Sequence, residues 1–245
     1  MTVAAEASAV RLSVVVPAFN EETNIEPLVQ ELVPHLKALG EPFEILLVDD
    51  GSTDRSLEVA LDLARREPHV RVLALEGRSG QSAAFDAGFK AAHGEWILTM
   101  DADLQNDPAD IPRLLEAIPG WDAVVGWRRQ RCDNWVRRVS SRVSNAVRNN
   151  LSGDSIIDTG CSLKLFRREA LTTLKMYSGM HRFLPTLMRF EGFRVRETPV
   201  NHRPRLRGRS KYNIRNRAFR AFVDLLAVRW MRSRRLNYRL RHHGK

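Results

Sequence analysis

The sequence predicts an α/β fold in which a mostly parallel sheet carries helices on its faces. Apolar runs of strand length alternate with helical stretches through the first half of the chain, and polar motifs follow three of the runs. The predicted strands are 12–16, 43–48, 70–75, 96–100 and 123–125, and helices are expected at about 22–38, 54–66, 81–92 and 108–118. Further helices are predicted at 134–150, 166–174, 181–190 and 214–236.

The polar motifs stand where such a sheet binds ligands, directly after its strands. Residues 20–21 follow the first strand, 49–54 the second and 101–105 the fourth. The 49–54 segment is also typical of a turn at Gly51 followed by a helix cap formed by the hydroxyl of Ser52 or Thr53. The two interpretations are compatible, since a turn can present a carboxylate to a ligand.

The segment that follows the fourth strand contains two carboxylates one residue apart. In an extended chain Asp101 and Asp103 project to the same side, and Gln105 stands two residues further on. Oxygen ligands of this kind suit a hard divalent cation such as Mg²⁺ or Mn²⁺. An isolated Asp-x-Asp is also typical of strand ends and helix caps, so the interpretation as a metal site depends on the neighbouring motifs.

Composition and length indicate a globular protein built as one large domain or as a domain with an appendage. The chain has 245 residues, of which 43% are hydrophobic and 28% charged. Cys132 and Cys161 have neither metal-site nor disulfide-framework spacing, which favours a reducing, cytoplasmic compartment. No run approaches the roughly 20 apolar residues of a membrane span, and the first residues do not have the pattern of a signal peptide.

The positive charge is concentrated at the C-terminal end. The net charge is +10, and residues 203–245 contain 15 Lys or Arg against one acidic residue, Asp224. This tail predicts an anionic partner, which could be nucleic acid, acidic lipid or a phosphorylated substrate. The apolar stripe of this tail is typical of a helix that packs on a protein core or in an interface. The flanking arginines and aromatic residues favour instead a helix lying on an anionic membrane surface. The stripe consists of Phe219, Phe222, Val223, Leu226 and Trp230.

Seven motifs in order give the chain a family resemblance that covers roughly residues 12–212. The chain resembles the family 2 glycosyltransferases, in particular the branch of dolichyl-phosphate mannose synthase and bacterial polyprenyl-phosphate sugar transferases. The motifs are Val-Val-Val-Pro-Ala-Phe-Asn-Glu at 14–21, Val-Asp-Asp-Gly-Ser-Thr-Asp at 48–54, Gly-Gln-Ser-Ala-Ala at 80–84, Met-Asp-Ala-Asp-Leu-Gln at 100–105 with Asp-Pro at 107–108, Val-Val-Gly-Trp-Arg at 124–128, Asp-Thr-Gly-Cys-Ser at 158–162 and Arg-Leu-Arg-Gly-Arg-Ser-Lys-Tyr at 205–212.

The resemblance implies a GT-A (Rossmann-like) fold, a nucleotide-sugar donor, a divalent metal and inversion at the anomeric carbon. It implies catalytic roles for Asp101, Asp103 and Arg128, and metal binding by Asp101, Asp103 and Gln105. The residues it implies for the nucleotide-sugar are Pro17, Ala18, Phe19, Glu21, Asp49, Asp50, Gln81, Asp101, Ala102, Asp103, Arg205 and Lys211. Those implied for an acceptor phosphate are Arg128, Arg137, Ser141 and Arg205.

The chain also departs from the family pattern. Many relatives have Arg-Asn-x-Gly before the helix at 81, whereas residues 77–80 here are Gly-Arg-Ser-Gly, so the role of Arg78 is not carried over. Many bacterial relatives have C-terminal membrane spans, and none is predicted here. Leu226 stands at the glutamine position of the Gln-x-x-Arg-Trp motif of processive synthases, which argues against that branch.

The basic residues favour a lipid phosphate as acceptor. A sugar hydroxyl needs a general base, whereas a phosphate monoester is already a dianion at neutral pH and needs cations to bind it. Apart from Asp158, which is interpreted as ordering its loop, no candidate base stands out, and the histidines are interpreted as structural.

The predicted protein is therefore a glycosyltransferase domain (1–212) with a basic tail (213–245), peripheral on the cytoplasmic face of the membrane. Its expected partners are a nucleotide-sugar, a polyprenyl phosphate, the anionic membrane surface and a membrane protein. One alternative transfers the sugar to a saccharide or protein hydroxyl. A remote alternative is a nucleic-acid-binding protein, which the acidic body and the carboxylates at strand ends argue against.

Overall fold

The structure, a computed structural model, describes residues 10–129, 156–204 and 214–236. Seven strands form one sheet in the order β3-β2-β1-β4-β6-β5-β7. All neighbouring strands pair in parallel except at β6, which runs antiparallel to both β4 and β5. The strands are β1 (Leu12–Ala18), β2 (Phe43–Asp49), β3 (Val70–Ala74), β4 (Trp96–Thr99), β5 (Ala123–Arg128), β6 (Lys164–Arg167) and β7 (Val195–Val200).

Seven α-helices accompany the sheet in the described part of the chain. They are α1 (Ile25–Lys37), α2 (Ser56–Arg66), α3 (Gln81–Ala91), α4 (Ile111–Glu116), α5 (Arg168–Thr172), α6 (Leu184–Phe190) and α7 (Ile214–Ser233), with short 3-10 helices at Pro108–Asp110 and Met180–Arg182. The first four predicted helices and five predicted strands are confirmed within a few residues.

Apolar side chains cover both faces of the sheet, as the alternation along β1 illustrates. Val14 and Val16 pack with α1, α2 and α4 on one face, and Val15 packs with α3, α5 and α6 on the other. Helix α3 lies very close to the sheet, because a Cβ atom at Gly88 would be only 2.3 Å from a methyl carbon of Val15. Strands buried on both faces read as continuous apolar runs, which is why β1, β2 and β4 were predictable.

Two strands differ from the prediction. The helix expected at 166–174 is wrong in its first part, because Phe166 lies in β6 and α5 begins only at Arg168. Strand β7 was not predicted: it is an edge strand with alternating burial and it contains Pro199, a residue that edge strands tolerate. The helix predicted at 134–150 lies outside the described residues.

The directions of the strands bring several loops together at one edge of the sheet. Since β6 is antiparallel to both β4 and β5, those two strands point the same way. The residues that follow β1, β2, β4, β5 and β7 therefore lie at the same edge, together with those that precede β6. This carboxyl edge is where the predicted site residues fall.

Helix α7 has apolar side chains on two opposite faces. Leu225 and Val228 are buried against Met180, Phe183 and Leu187. The face opposite is exposed and contains Phe222, Val223, Leu226 and Trp230, the predicted stripe without Phe219, whose side chain lies outside the described part. Among the described residues, no helix combines the length and apolar character that a bilayer crossing requires.

Candidate active site

The loop after β4, residues 100–107 (the acidic loop), holds the two predicted carboxylates in a fixed conformation. The backbone N–H of Asp101 donates to Asn106 Oδ1 (3.2 Å), and that of Gln105 donates to Asp103 Oδ1 (3.2 Å). Leu104 between them adopts a positive φ of 61°, which is costly for a branched residue and is retained here because its side chain packs against the core. The loop is therefore held in shape by both hydrogen bonds and packing.

Asp101 lies where its negative charge is disfavoured. Burial, followed by the negative charge of Asp103, raises the pKa of Asp101, while hydrogen bonds from Ser162 and Gln81 oppose the rise. The bond from Gln81 Nε2 to Asp101 Oδ1 is 2.8 Å long and ties the start of α3 to this loop. A buried carboxylate whose pKa is raised in this way is stabilised by a cation placed beside it.

A small open pocket lies beside these carboxylates. The structure brings together four of the predicted site residues there, namely Asp101, Asp103, Gln105 and Arg128. Asn106 and His202, to which the sequence assigned no role in a site, also line the pocket. Among the described residues its lining is Asp101, Asp103, Gln105, Asn106, Arg128, Gly160, Cys161, Ser162 and His202.

Arg128 enters the pocket from the end of β5 and is oriented by Asp158. Its Nε donates to Asp158 Oδ2 (2.7 Å) and its Nη2 to Oδ1 (2.9 Å), so the guanidinium and the carboxylate meet as two parallel forks. Asp158 is buried and also accepts from the backbone N–H of Gly160 (3.1 Å). The interpretation of Asp158 as a loop-ordering residue agrees with these contacts.

Sequence reasoning missed three polar residues around the pocket. Lys164 is buried in β6 and donates to the carbonyl oxygen of Thr159 (3.2 Å); burial lowers its pKa, against the nearby negative charges. Asn106 accepts from Ser162 Oγ (2.8 Å) and joins the acidic loop to β6. Lys164 lies in a short strand without a recognisable motif, and Asn106 stands between motif residues 100–105 and 107–108 without a role of its own, so the contacts of both residues become apparent only in the fold.

The third missed residue, His202, belongs to the segment that leaves β7. It forms an isolated bridge with Asn106, and its Nε2 is 3.4 Å from Gln105 Nε2. Gln105 Nε2 also donates to the carbonyl oxygen of Arg203 (3.3 Å). Arg203 is anchored in turn by Glu31 (2.6 Å) and Asp107 (2.7 Å), so this segment crosses directly over the acidic loop.

A second cluster forms where β1 and β2 end. Asn20, with a φ of 53°, donates its backbone N–H to Ser52 Oγ (2.9 Å) and accepts from the backbone N–H of Thr53 (2.8 Å). The predicted hydroxyl cap on α2 is wrong, because Asp54 Oδ1 is the acceptor for the backbone N–H of Ser56 (2.9 Å). Ser52 and Asn20 instead join the two loops.

The two aspartates of this cluster differ in their contacts. Asp50 Oδ1 accepts from the backbone N–H groups of Ser79 (2.7 Å) and Gly80 (2.9 Å), and Asp50 Oδ2 also faces Gly80 N (2.9 Å). Asp49 Oδ2 accepts from the backbone N–H of Ser52 (3.0 Å), while its buried Oδ1 meets no hydrogen-bond partner in the described ranges. A buried oxygen without a hydrogen-bond partner is a suitable acceptor for a donor on a ligand.

The remaining predicted residues surround these clusters or lie outside the described part. Pro17 and Ala18 close β1, and the guanidinium of Arg78 stacks on the Phe19 ring at 4.4 Å from its centroid. Ala102 is buried between the two acidic residues, and Glu21 accepts from Asn24 Nδ2 (2.6 Å). Arg137, Ser141, Arg205 and Lys211 lie outside the described residues.

The donor set at the acidic loop fits a hard divalent cation. Asp101, Asp103 and Gln105 supply carboxylate and carboxamide oxygens, and a cation there would offset the burial and the charge of Asp103 that together raise the pKa of Asp101. Within residues 10–129, 156–204 and 214–236, no group of three or more His, Cys, Asp or Glu is arranged to bind a metal. The rest of a metal's coordination shell would therefore come from Gln105, water or substrate oxygens.

Comparison with solved structures defines the class of fold as GT-A. Glucosyl-3-phosphoglycerate synthase from Mycobacterium tuberculosis, in complex with Mn²⁺, UDP-glucose and phosphoglyceric acid, aligns with a TM-score of 0.69, 21% identity and coverage of 91% of this chain and 79% of that one. A mannosyltransferase from Pyrobaculum calidifontis in complex with GDP-Man and Mn²⁺ aligns with a TM-score of 0.64 and 23% identity, over 89% and 63% of the two chains.

The chain belongs to glycosyl transferase family 2, whose model matches residues 13–174. It is 40% identical to dodecaprenyl-phosphate galacturonate synthase of Rhizobium johnstonii over 89% of this chain and 66% of that protein. It is 39% identical to undecaprenyl-phosphate 4-deoxy-4-formamido-L-arabinose transferase of Edwardsiella ictaluri, over 83% and 63%. The chain thus spans slightly less than two thirds of the length of these relatives.

Proposed function

We propose that this chain is an inverting glycosyltransferase that moves a sugar from a nucleoside-diphosphate sugar to a polyprenyl phosphate. The observation that carries the proposal is the meeting of Asp101, Asp103 and Arg128 in one pocket at the carboxyl edge of the sheet. The similarity to relatives named for transfer to dodecaprenyl and undecaprenyl phosphate supports the choice of acceptor.

The donor's diphosphate lies beside the acidic loop in this proposal. Asp101, Asp103 and Gln105 would bind Mg²⁺ or Mn²⁺, which supplies positive charge to the departing diphosphate. The Mn²⁺ complexes of the two structural neighbours support a divalent ion. Ala102 and Gln81 adjoin this region, and the nucleoside occupies the cluster at the ends of β1 and β2, formed by Pro17, Ala18, Phe19, Glu21, Asp49 and Asp50.

Arg128 binds and aligns the acceptor phosphate. A phosphate oxygen forms the new bond to the anomeric carbon, the bond from that carbon to the diphosphate oxygen breaks, and the nucleoside diphosphate leaves with the electron pair. Attack from the side opposite the leaving group inverts the configuration. The second pKa of a phosphate monoester is near 6, so no protein base has to remove a proton. Arg137, Ser141, Arg205 and Lys211 are proposed to complete the phosphate sites.

Transfer to a hydroxyl is the less favoured alternative. It would require a carboxylate positioned to accept a proton. Both oxygens of Asp158, the candidate that the sequence offered, are engaged by the guanidinium of Arg128. The contacts of Asp158 therefore assign it to the orientation of Arg128.

The proposed acceptor is a lipid, and the exposed face of α7 is suited to a lipid surface. Phe222, Leu226 and Trp230 present apolar area, and Arg229, Arg234 and Arg235 are exposed on the same helix or just after it. Apolar side chains with flanking arginines bind the interface of anionic membranes. We therefore propose that the protein lies on the cytoplasmic face of a membrane, with residues 213–245 as its basic tail, and that a membrane protein is a further partner there.

A transfer assay tests the proposal directly. The full chain is incubated with labelled UDP- and GDP-sugars and with polyprenyl phosphate in detergent, with Mg²⁺, Mn²⁺ or EDTA. Label that enters the organic phase only in the presence of metal is the expected result, and it identifies the donor. Nucleotide release with label on a soluble acceptor alone would overturn the acceptor assignment, and transfer undiminished by EDTA would overturn the metal assignment.

A further inference from the structure

A series of contacts runs from helix α7 to the acidic loop, and it begins at the buried face of the helix. Leu225 and Val228 pack against Met180 and Phe183, which lie in and next to the 3-10 helix Met180–Arg182. Just before that turn, Gly179 has a φ of 83°, and a Cβ atom there would be 2.3 Å from Asp224 Oδ2. Helix α7 therefore fixes the position of this turn.

The same turn contacts the first residues of α3 through His181. His181 Nδ1 is 2.7 Å from Ser82 Oγ, and the imidazole packs beside Phe85 with 6.1 Å between ring centroids. Ser82 is only 6% exposed, so little solvent can replace this hydrogen bond. The turn and the start of α3 are consequently held together by a buried polar contact and by ring packing.

The residue that precedes Ser82 reaches the acidic loop. Gln81, the first residue of α3, donates its Nε2 to Asp101 Oδ1 at 2.8 Å. A shift of the first turn of α3 would therefore move the side chain that orients Asp101. Helix α7 contacts the turn at Met180 and Phe183, and the turn contacts α3 through His181 and Ser82. Helix α3 in turn contacts the acidic loop through Gln81 and Asp101, so these contacts lie in series.

We propose that His181 is a positioning residue for Asp101, and that α7 supports the acidic loop through it. The proposal rests on the proposed function, because it gives Asp101 the role of a metal ligand. His181 acts on the site through Ser82 and Gln81 without contacting substrate or metal. Partners that orient a metal ligand affect metal affinity or activity by about 10- to 100-fold when they are removed, and His181, one contact further away, falls at the lower end.

The experiment compares His181→Ala, His181→Asn and Ser82→Ala in the full chain. Binding of Mn²⁺ in the presence of UDP or GDP is measured by calorimetry, alongside kcat, KM and the melting temperature. We expect His181→Ala to weaken Mn²⁺ binding about tenfold. His181→Asn should recover most of the loss, because its amide can occupy the position of Nδ1. Ser82→Ala should weaken Mn²⁺ binding as much as His181→Ala does. The double variant His181→Ala/Ser82→Ala should bind Mn²⁺ no more weakly than either single variant.

Helix α7 is tested with a pair of cavity variants. Leu225→Ala removes a side chain that packs on the turn, and Leu63→Ala removes one from α2 on the opposite face of the sheet. Both should lower the melting temperature, and only Leu225→Ala should also weaken Mn²⁺ binding. Equal Mn²⁺ affinity in these two variants would overturn the role of α7.

The outcomes separate this inference from the proposed function. Failure of the wild-type chain to bind Mn²⁺ with either nucleotide would overturn the metal assignment itself. Normal Mn²⁺ binding by wild type, His181→Ala and Ser82→Ala would overturn only the positioning role of His181. Additive losses in the double variant, or no recovery with His181→Asn, would do the same.

Discussion

Asp49 and Asp50 are neighbours in sequence, yet their carboxylates have different partners. Asp50 accepts from two backbone N–H groups of the 77–80 loop, and Gly51, with a φ of 68°, lies so close to Gly77 that a side chain would not fit. Asp50 therefore holds the loop that stacks Arg78 on Phe19. Asp49 has a buried oxygen for which a nucleoside N–H or hydroxyl is a suitable donor.

These contacts predict that replacement by asparagine affects nucleotide affinity differently at the two positions. Asp50→Asn keeps an oxygen for both N–H groups and should retain most of the affinity for the nucleoside diphosphate. Asp49→Asn removes the negative charge and replaces one carboxylate oxygen by an amide group that cannot accept a hydrogen bond. It should weaken nucleotide binding about tenfold, since a hydrogen bond to a charged group contributes about 1.5–3 kcal/mol. Calorimetric titration with UDP and GDP measures both. A larger loss at Asp50 would mean that Asp50, and not Asp49, supplies the carboxylate to which the nucleoside donates.

Asp50→Ala serves as the companion variant. It leaves two backbone donors without their acceptor, which costs about 1–3 kcal/mol of folding free energy. Urea denaturation should therefore show a lower free energy of unfolding for Asp50→Ala than for Asp50→Asn. Equal stabilities would indicate that the 77–80 loop does not depend on this carboxylate.

Asp103 is expected to be indispensable for transfer and dispensable for folding. Asp103→Ala and Asp103→Asn should each lower kcat by at least about 100-fold, the loss that follows removal of one group stabilising developing charge. The Asn variant keeps an acceptor for the backbone N–H of Gln105 and thereby preserves the loop. Asp62→Ala, which removes a surface carboxylate paired with Arg65, is the control. Near-normal turnover of Asp103→Asn with Mg²⁺ would refute the metal assignment.

At the scale of secondary-structure elements, α7 combines a core face with an exposed apolar face. Leu225 and Val228 belong to the core, whereas Phe222 and Trp230 are 48% and 63% exposed. Truncation after residue 213 would remove both faces at once and expose Met180 and Phe183. Substitutions confined to one face are therefore needed to separate membrane binding from folding.

The double variant Phe222→Ser/Trp230→Ser should weaken binding to phosphatidylglycerol vesicles and leave the melting temperature within about 2 °C, because these positions are exposed. Leu225→Ala should behave in the opposite way, losing about 2 kcal/mol of stability while vesicle binding by the folded fraction persists. Co-sedimentation at two salt concentrations, with neutral phosphatidylcholine vesicles as control, measures the first effect. Unchanged co-sedimentation of the double variant would assign the exposed stripe to another partner.

The sequence predicted the strands and helices that have a clear hydrophobic pattern of their own. It missed the strands whose position depends on pairing with other strands that are distant in sequence. Strands β1, β2 and β4 are buried on both faces and read as apolar runs, and Asp101, Asp103, Gln105 and Arg128 follow such strands or belong to motifs. Strand β6 has four residues and leads directly into α5, so its pattern resembles a helix. His202 reaches the pocket, and Lys164 lies near Asp101, only because β7 and β6 pair as they do, and that pairing has no local signal.

At the scale of the whole molecule, the two edges of the sheet have different charge arrangements. The carboxyl edge holds Asp101 at a raised pKa, whereas the opposite edge holds a satisfied carboxylate, Glu44 at the start of β2. Glu44 accepts from Ser13 Oγ (2.6 Å) and from the backbone N–H of His93 (2.7 Å), and it forms an ion pair with Arg71. This network joins β1, β2, β3 and the loop after α3.

Glu44 makes stability depend on pH in a predictable direction. Burial alone would raise its pKa, but the hydrogen bonds from Ser13, His93 and Arg71 together outweigh burial and lower it. The folded state therefore holds a proton on Glu44 less tightly than the unfolded state, whose glutamates titrate near about 4.3. The stabilisation is complete above that pH and is lost as the pH falls through the lower folded-state pKa.

Denaturation in urea between pH 6 and pH 3 tests this expectation with Glu44→Gln and a surface control. The free energy of unfolding of Glu44→Gln should be lower than that of wild type at pH 6, and the difference should shrink towards pH 3, because the unfolded wild-type chain binds a proton at Glu44 at a higher pH than the folded chain does. Glu58→Gln removes a carboxylate that pairs with Arg55 in solvent, and it should follow the wild-type curve because water screens that pair. A difference between Glu44→Gln and wild type that stays constant from pH 6 to pH 3 would mean that Glu44 contributes through packing and not through its charge.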